Sequence, residues 1–476
     1  MALLNGSSPE YKLVRKAFAA ELGPLASRGQ RRMQELESIV LLYDLLQHGD
    51  QTAALMGGEV CARESVHDPE FLEEHWFSLV RRFTGFLPLQ FFNSQSTSLV
   101  MEMMYGERVH KIKGNKNLHE IYEVVENVAR IMLPGAFMAD TFTFLQKLPD
   151  ILSPWRLKAQ EMHKRGSIHL FIREIGLYGG FLTKIRADHE SGVNRPECFV
   201  GKYLKARENS VSAGETSGCG LTPCGGWLRD TLLAYSAGTV LEAGSDTTSS
   251  TIVSFVMFML WHPRILEKAR EEIDRVVGET RLPTYEDEDK LPYIAAIIKE
   301  VLRCRPPFPV GAPHRSTEDT TYKGYFIPKG SVVIGNVWAL NLDPSRFGNP
   351  TEFNPDRWMQ ASPLQLSENA PKRDHYSFGW GRRFCMGSQI AEASLFIVVA
   401  RIIWGLDIRG AKNSSTGVAQ CLDPWDENNF SAGVVSALPF NATFEARSSC
   451  HKAIIERSFK DAQGHWESLG LASDER

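Results

Sequence analysis

No stretch of this 476-residue chain is strongly basic: Lys and Arg total 53 against 57 Asp and Glu, a net charge of -4. Without a basic face to neutralise phosphates, nucleic acid is excluded as a partner. Also missing are the paired short spacings of a zinc site or a disulfide framework. The eight cysteines, Cys61, Cys198, Cys219, Cys224, Cys304, Cys385, Cys421 and Cys450, are scattered, which fits reduced thiols. The opening residues hold no apolar stretch of signal-peptide length. Nothing reaches the about 18 apolar residues of a membrane span, so the chain as written reads as soluble. The nearest approach, Ile252 to Trp261, lies inside a longer helical pattern and reads as a buried core helix. There is no internal repeat, and the loosest stretch, Arg207 to Gly226, is rich in Ser and Gly and reads as a surface loop.

What is present belongs to a globular protein. Hydrophobic residues make up 43% and charged residues 23%, enough to bury a sizeable core. The length exceeds the roughly 250 to 300 residues at which single cores stop growing, so either several domains or one large fold is expected. Helical periodicity dominates, beginning at Tyr11 to Leu46 and continuing in a proline-free pattern from Trp227 to Trp261 that would span roughly 50 Å. Another helix is expected from His262-Pro263, with proline suited to the first helical position, and another carries Leu291, Ile294, Ile297, Ile298, Val301 and Leu302 on one face. After Pro307 the period changes. Tyr325 to Ile327, a Pro328-Lys329-Gly330 turn and Val332 to Ile334 read as a short hairpin. A last long helix is expected from about Gly387 to Trp404. One mixed domain results, mainly α with small β-sheets (α+β).

The chemistry concentrates in Phe378-Gly379-Trp380-Gly381-Arg382-Arg383-Phe384-Cys385-Met386-Gly387, a glycine-bracketed loop leading into an apolar helix. An arbitrary cysteine is usually a small buried hydrophobe. Here glycine-freed N–H groups, a helix N-terminus and a neighbouring arginine supply what a metal-bound thiolate needs. Glu300-x-x-Arg303 lies one helical turn apart, a spacing more often seen in solvated surface pairs. Ala243-Gly244-Ser245-Asp246-Thr247-Thr248 falls near the middle of the long helix. Gly and Thr cost stability there, and the bland reading is a packing kink.

The decapeptide matches the haem-binding loop F-x-x-G-x-R-x-C-x-G of the cytochrome P450 family at every specified position, and the chain resembles that family over nearly its whole length. The resemblance implies the cytochrome P450 fold, haem with Cys385 as axial thiolate, O2 as co-substrate, and electrons from NADPH through a cytochrome P450 reductase. It also implies that Gly244 opens room for dioxygen while Asp246 and Thr247 relay protons to it. Glu300, Arg303 and Arg357, the last in Pro350-x-x-Phe353-x-Pro355-x-Arg357, resemble a buried ion network behind the haem. Arg15, Arg315 and Arg383 correspond to arginines that bind haem propionates, and Phe378 belongs to the haem-binding loop. Tyr11 stands where the family's W-x-x-x-R helix has tryptophan. Lys372, Arg373 and Arg382 form either part of a reductase-docking surface or ordinary solvated charge. Segments 126–155 and 236–251 resemble fungal oxidoreductases of the O-methylsterigmatocystin type. That implies an apolar small-molecule substrate in secondary metabolism, held near Pro309-Val310-Gly311-Ala312.

Two departures stand out. The resemblance begins at the Tyr11 helix, so the fold is expected to be N-terminally incomplete, without anchor or first sheet strands. Membrane association at the cytosolic face of the endoplasmic reticulum is then expected only of a full-length form. Gly85 to Ser96 is expected to interrupt the pattern around it, as a retained intron would. Asn341 replaces a frequent histidine, with no function attached to it. The competing activities are a haem isomerase or dehydratase, against which Asp246-Thr247 argues, and an inactive remnant.

Overall fold

The computed structural model describes residues 8–47, 87–109, 121, 168–192, 196–212, 227–359, 374–410, 421–431, 434–438, 440 and 442–471. Segment 126–155 and most of the Ser/Gly-rich stretch therefore lie outside the described residues, although the helix before that stretch runs on to Ser212. The chain begins with α1 (Pro9–Leu22), α2 (Pro24–Gly29) and α3 (Arg31–Gln47). The pattern from Tyr11 to Leu46 is thus broken, and Gly23-Pro24 is the cause. Gly23 is extended, as a residue before proline prefers, and Pro24 opens the next helix because its missing N–H costs nothing there.

Next come α4 (Leu87–Tyr105), α5 (Ile168–Glu190), α6 (Phe199–Ser212) and the long α7 (Asp230–Trp261). Helix α4 takes in most of the stretch Gly85 to Ser96. From Leu87 onward that stretch is the first half of a continuous helix, in which Phe92, Gln95 and Ser96 are buried. Helices α8 (Pro263–Val276) and α9 (Pro292–Cys304) follow, both with proline in the first turn.

Four short strands come next: β1 (His314–Arg315), β2 (Thr320–Tyr322), β3 (Tyr325–Ile327) and β4 (Val332–Val333). The expected β3–β4 hairpin does not form. Strand β3 pairs antiparallel with β2, Tyr322 opposite Tyr325, and β4 pairs with β1. The tight turn is Lys323-Gly324, with φ of 49° and 83°. Two positive φ values match the twist of a two-residue hairpin. Around Pro328, Gly330 instead donates its N–H to Ser316 O at 2.9 Å and sends the chain to β1.

The chain closes with α10 (Val337–Asn341), α11 (Ser388–Gly405), β5 (Leu406–Gly410) paired to β6 (Ala442–Ala446), and α12 (Ser449–Ser468). Helix α11 is long and apolar enough to cross a membrane, contrary to the reading that no such stretch exists, but 83% of it is buried in the fold. It is a core helix that also carries Glu392 and Arg401.

Two apolar clusters make the core. One gathers α1, α4, α5, α6 and the first half of α7 through Leu233 and Leu241. The other gathers α3, α8, α9, α11, α12 and the second half of α7, from Ile252 to Met259. Residues 243–248 therefore sit where α7 passes from one cluster to the other, and there the helix opens: Ala243 is exposed and Asp246, Thr247 and Thr248 are half-buried.

Candidate active site

The cysteine loop is shaped by its glycines. Gly379 (φ 69°) and Gly381 (φ 62°) occupy the left-handed region that other residues avoid. Gly379 N–H donates to Tyr376 O at 2.8 Å, and Phe384 N–H to Gly381 O at 3.2 Å. Cys385 N–H then closes the loop on Phe378 O at 2.9 Å. Phe378 packs against the second core cluster and meets the Phe384 ring edge-on, which fixes the loop from beneath. Cys385 is exposed and precedes α11 directly. Burial of the loop against the protein pushes its thiol up from the ordinary value, opposed by hydrogen bonds from the backbone of Gly387 and Ser388. The Arg383 guanidinium lies over the Tyr11 ring, 4.1 Å from the centroid, and a cation so placed leaves the direction of the thiol's shift as it is. A metal cation would reverse it, since its charge deprotonates a coordinating thiol.

Helix α1 holds the loop's other side. The Tyr11 hydroxyl donates to Arg382 O at 2.9 Å, and Arg15 Nη1 donates to the same carbonyl at 2.8 Å and to the Tyr11 hydroxyl oxygen at 3.1 Å. Tyr11 is thus an anchor for the loop, a role the sequence only hinted at by placing a polar-tipped aromatic at that position. Arg382 is exposed, and Lys372 and Arg373 lie outside the described residues. Arg315 stands on β1 beside Gly330, where an added Cβ would come within 3.3 Å of its Nη2. The β1–β4 sheet is tied to the cysteine loop by Trp380, whose ring occupies the space a side chain on Gly335 would need, 2.1 Å away.

Behind the loop, Glu300, Arg303 and Arg357 meet. Arg303 donates to Glu300 through Nε (2.9 Å) and Nη2 (2.7 Å), a two-pronged pairing with both residues fully buried. Arg357 Nε (3.0 Å), Trp358 Nε1 (2.9 Å) and Asn354 N–H (2.9 Å) also donate to Glu300. Arg303 Nη1 reaches Asn341 O (3.0 Å) and Pro350 O (2.7 Å). Asn341, which the sequence reading left without a role, links this network to the loop. Its Oδ1 accepts Tyr376 N–H at 2.8 Å, and its Nδ2 donates to Ser377 Oγ at 3.2 Å. Beside it, burial lowers His375 to about 4, so that imidazole is neutral near pH 7.

On α7, the Thr247 hydroxyl donates back to Ala243 O at 2.7 Å, and Ser249 and Ser250 do so to Asp246 O. Such bonds loosen and bend a helix. Gly244 faces α4: a Cβ there would lie 2.7 Å from Val100 Cγ2. The structure thus gives this glycine a helix-packing reason.

These residues fit haem. An exposed thiol heads a core helix, and Phe308, Val310, Ile334 and Trp380 expose apolar surface that a flat apolar macrocycle would cover. Arg15, Arg315 and Arg383 are cations of the kind its carboxylates would need. The family profile Cytochrome P450 matches residues 81–409. Cytochrome P450 monooxygenase 231 of Postia placenta is 43% identical over 474 residues, covering 98% of this chain and 78% of that one. Cytochrome P450 monooxygenase polD of Polytolypa hystricis is 31% identical over 452 residues, covering 94% and 74%. A solved zebra fish cytochrome P450 with abiraterone aligns over 93% of this chain and 83% of its own, with a TM-score of 0.61 at 19% identity, a likeness of fold. The matching cysteine loop, the helical architecture and these relatives lead to one conclusion: the chain belongs to the cytochrome P450 family of monooxygenases.

Proposed function

We propose that this chain oxidises an apolar small molecule of fungal secondary metabolism at a haem bound through Cys385, using electrons passed from NADPH by a separate reductase. The observation that carries the reading is the exposed Cys385 at the head of α11, in a loop whose Arg382 carbonyl is held by Tyr11 and Arg15 and whose Trp380 packs at Gly335. When bound, haem supplies the activation of dioxygen and its insertion into a C–H bond. Cys385 would hold the iron, with the backbone N–H groups of Gly387 and Ser388 moderating the charge on sulfur. Arg15, Arg315 and Arg383 would bind the propionates, while Phe378 keeps the loop in place.

Thr247 donates its own proton to Ala243 O, which leaves its lone pairs to accept one from water. Turning away from Ala243 then lets the hydroxyl pass a proton on, and Asp246 replenishes it. By family resemblance Gly244 would leave room for dioxygen. Substrate would lie between the exposed stripe of α7 and the exposed Phe308 and Val310. Relatives that are cytochrome P450 monooxygenases of fungi, among them polD of Polytolypa hystricis and verL of Clonostachys rogersoniana, support the fungal setting. By family resemblance the place of action is the cytosolic face of the endoplasmic reticulum, beside the reductase, with exposed Arg382 part of the docking face.

The test is turnover of the haem-loaded chain with a fungal reductase, NADPH and isotopically labelled dioxygen against a panel of apolar polycyclic compounds. One labelled oxygen atom per product is expected. Product formed without label and without NADPH oxidation would replace this reading with an isomerase or dehydratase.

A further inference from the structure

Glu242, one turn before Asp246 on α7, takes no part in the chemistry above. Helix α5 crosses the first half of α7 at Gly238, where an added Cβ would lie 2.3 Å from Tyr178 Cδ2. That close approach brings the buried Tyr178 hydroxyl to Glu242, where it donates to Oε1 at 2.7 Å. Tyr235 meets the Tyr178 ring edge-on at 6.3 Å. From α4, buried Tyr105 directs its hydroxyl to Ala234 O at 3.4 Å, and the charge of Glu242 adds to the burial that pushes this phenol up. Among the described residues, the titratable groups around Glu242 are Tyr105 on α4, Tyr178 on α5, Tyr235 and Asp246 on α7, and Cys198 beside Tyr105.

Burial also pushes the Glu242 carboxyl up from its ordinary value, while the Tyr178 bond pulls it back. A carboxyl shifted in that direction is better suited to donate a proton near neutral pH than an ordinary one. Residues four apart on a helix are neighbours on one side, with Cβ atoms roughly 5 to 6 Å apart. Glu242 and Asp246 are so related, and both lie beside the exposed Ala243 that marks the open stripe. Among the described residues, the hydrogen bond to Glu242 comes from Tyr178, on Oε1.

We propose that Glu242, held by Tyr178 between α5 and α7, is the proton donor that recharges Asp246 from solvent. The inference rests on Asp246 and Thr247 acting as the proton relay. In the step, the O–H bond of the Glu242 carboxyl breaks and the proton passes through one water. A new O–H bond forms on the Asp246 carboxylate. Glu242 then takes a proton from bulk water, and no electrons are exchanged. Tyr178 stays protonated throughout and acts as a positioning residue.

The test uses the full chain and its Glu242→Gln, Glu242→Asp, Tyr178→Phe and Asp246→Asn variants. Without turnover, infrared difference spectroscopy between intact chain and Glu242→Gln should show the carbonyl stretch of a protonated carboxyl near neutral pH. Tyr178→Phe should shift that band. In the haem-loaded enzyme, Glu242→Gln should keep the carbon monoxide spectrum but lower the ratio of product to hydrogen peroxide about tenfold. That is less than the ~10² to 10⁴ of a group that itself transfers a proton in the transition state. The loss should deepen as pH rises, and Glu242→Asp should restore part of the ratio. No Glu242 band at neutral pH, or an unchanged ratio and pH profile in Glu242→Gln, overturns the proposal. If Asp246→Asn is silent too, the relay reading fails and takes this inference with it. A chain that gives no thiolate-haem spectrum refutes the haem assignment instead. Should Glu242→Gln not load haem, Tyr178→Phe carries the test, because it leaves the carboxyl in place.

Discussion

Replacing Glu300 by Gln should destabilise the molecule from behind the cysteine loop. Glu300 is fully buried and accepts from Arg303 Nε and Nη2, Arg357 Nε, Trp358 Nε1 and Asn354 N–H. Glutamine matches its shape, and its carbonyl can take over the bonds now made by Oε1. Its NH2 then stands where Oε2 accepts Arg303 Nε and Trp358 Nε1, so two donors face a donor. Each buried group left unpaired costs about 1 to 3 kcal/mol. Both arginines also lose their shared counter-charge, and breaking a buried ion pair from one side costs about 3 to 5 kcal/mol. The two estimates describe the same loss and agree at roughly 3 to 5 kcal/mol, a large part of the ~5 to 15 kcal/mol of a typical domain. Urea unfolding followed by tryptophan fluorescence, with haem content measured alongside, reads this directly. A loss under about 1 kcal/mol at unchanged denaturant slope would refute the claim that this network holds the fold behind the haem.

Asn341→Ala should act more locally, releasing Tyr376 N–H and Ser377 Oγ and costing about 1 to 3 kcal/mol. It should speed transfer of haem to a scavenger protein, and unchanged haem loss would remove Asn341 from the support of the loop. Glu102 on α4 makes stability depend on pH. It is buried near Glu37 and Arg108, its Oε2 has no hydrogen-bond partner among the described residues, and burial, then the charge of Glu37, raises it from 4.5 to about 8. Because the folded value lies above the unfolded one, the stability it contributes is full below about pH 4.5 and is lost as pH rises through about 8. Glu102→Gln should flatten that decline and be the more stable protein at about pH 9 by up to a few kcal/mol. Parallel pH profiles for the two proteins would contradict this.

Much of the helical scaffold was legible because its signals are local. Pro263 at the first turn of α8, the apolar face of α9 and the proline-free α7 need no knowledge of the partner element. The strands were misread for the opposite reason. Pro328-Gly330 carries the stronger local turn signal, yet the tight turn forms at Lys323-Gly324, and the pairing of β1 with β4 depends on a return across intervening chain. The break at Gly23-Pro24 was visible in the sequence but was overridden by periodicity on either side. At the site, the cysteine loop and Glu300-x-x-Arg303 carry fixed spacings. Asn341 and the Tyr178–Glu242 contact do not, since each joins residues 35 or more apart through a single side chain. Gly244 shows why motif and packing must be separated, because its absent side chain points at Val100 of α4 and so has a packing reason of its own.

The measurement that bears most directly on the account is the difference spectrum of the reduced, haem-loaded chain with carbon monoxide, taken beside Cys385→Ala. The account predicts the thiolate-haem Soret shift in the intact chain and its loss in the variant, with the fold retained. The same spectrum from both proteins, or no thiolate signal from the intact chain, would contradict the assignment of Cys385 as the iron ligand.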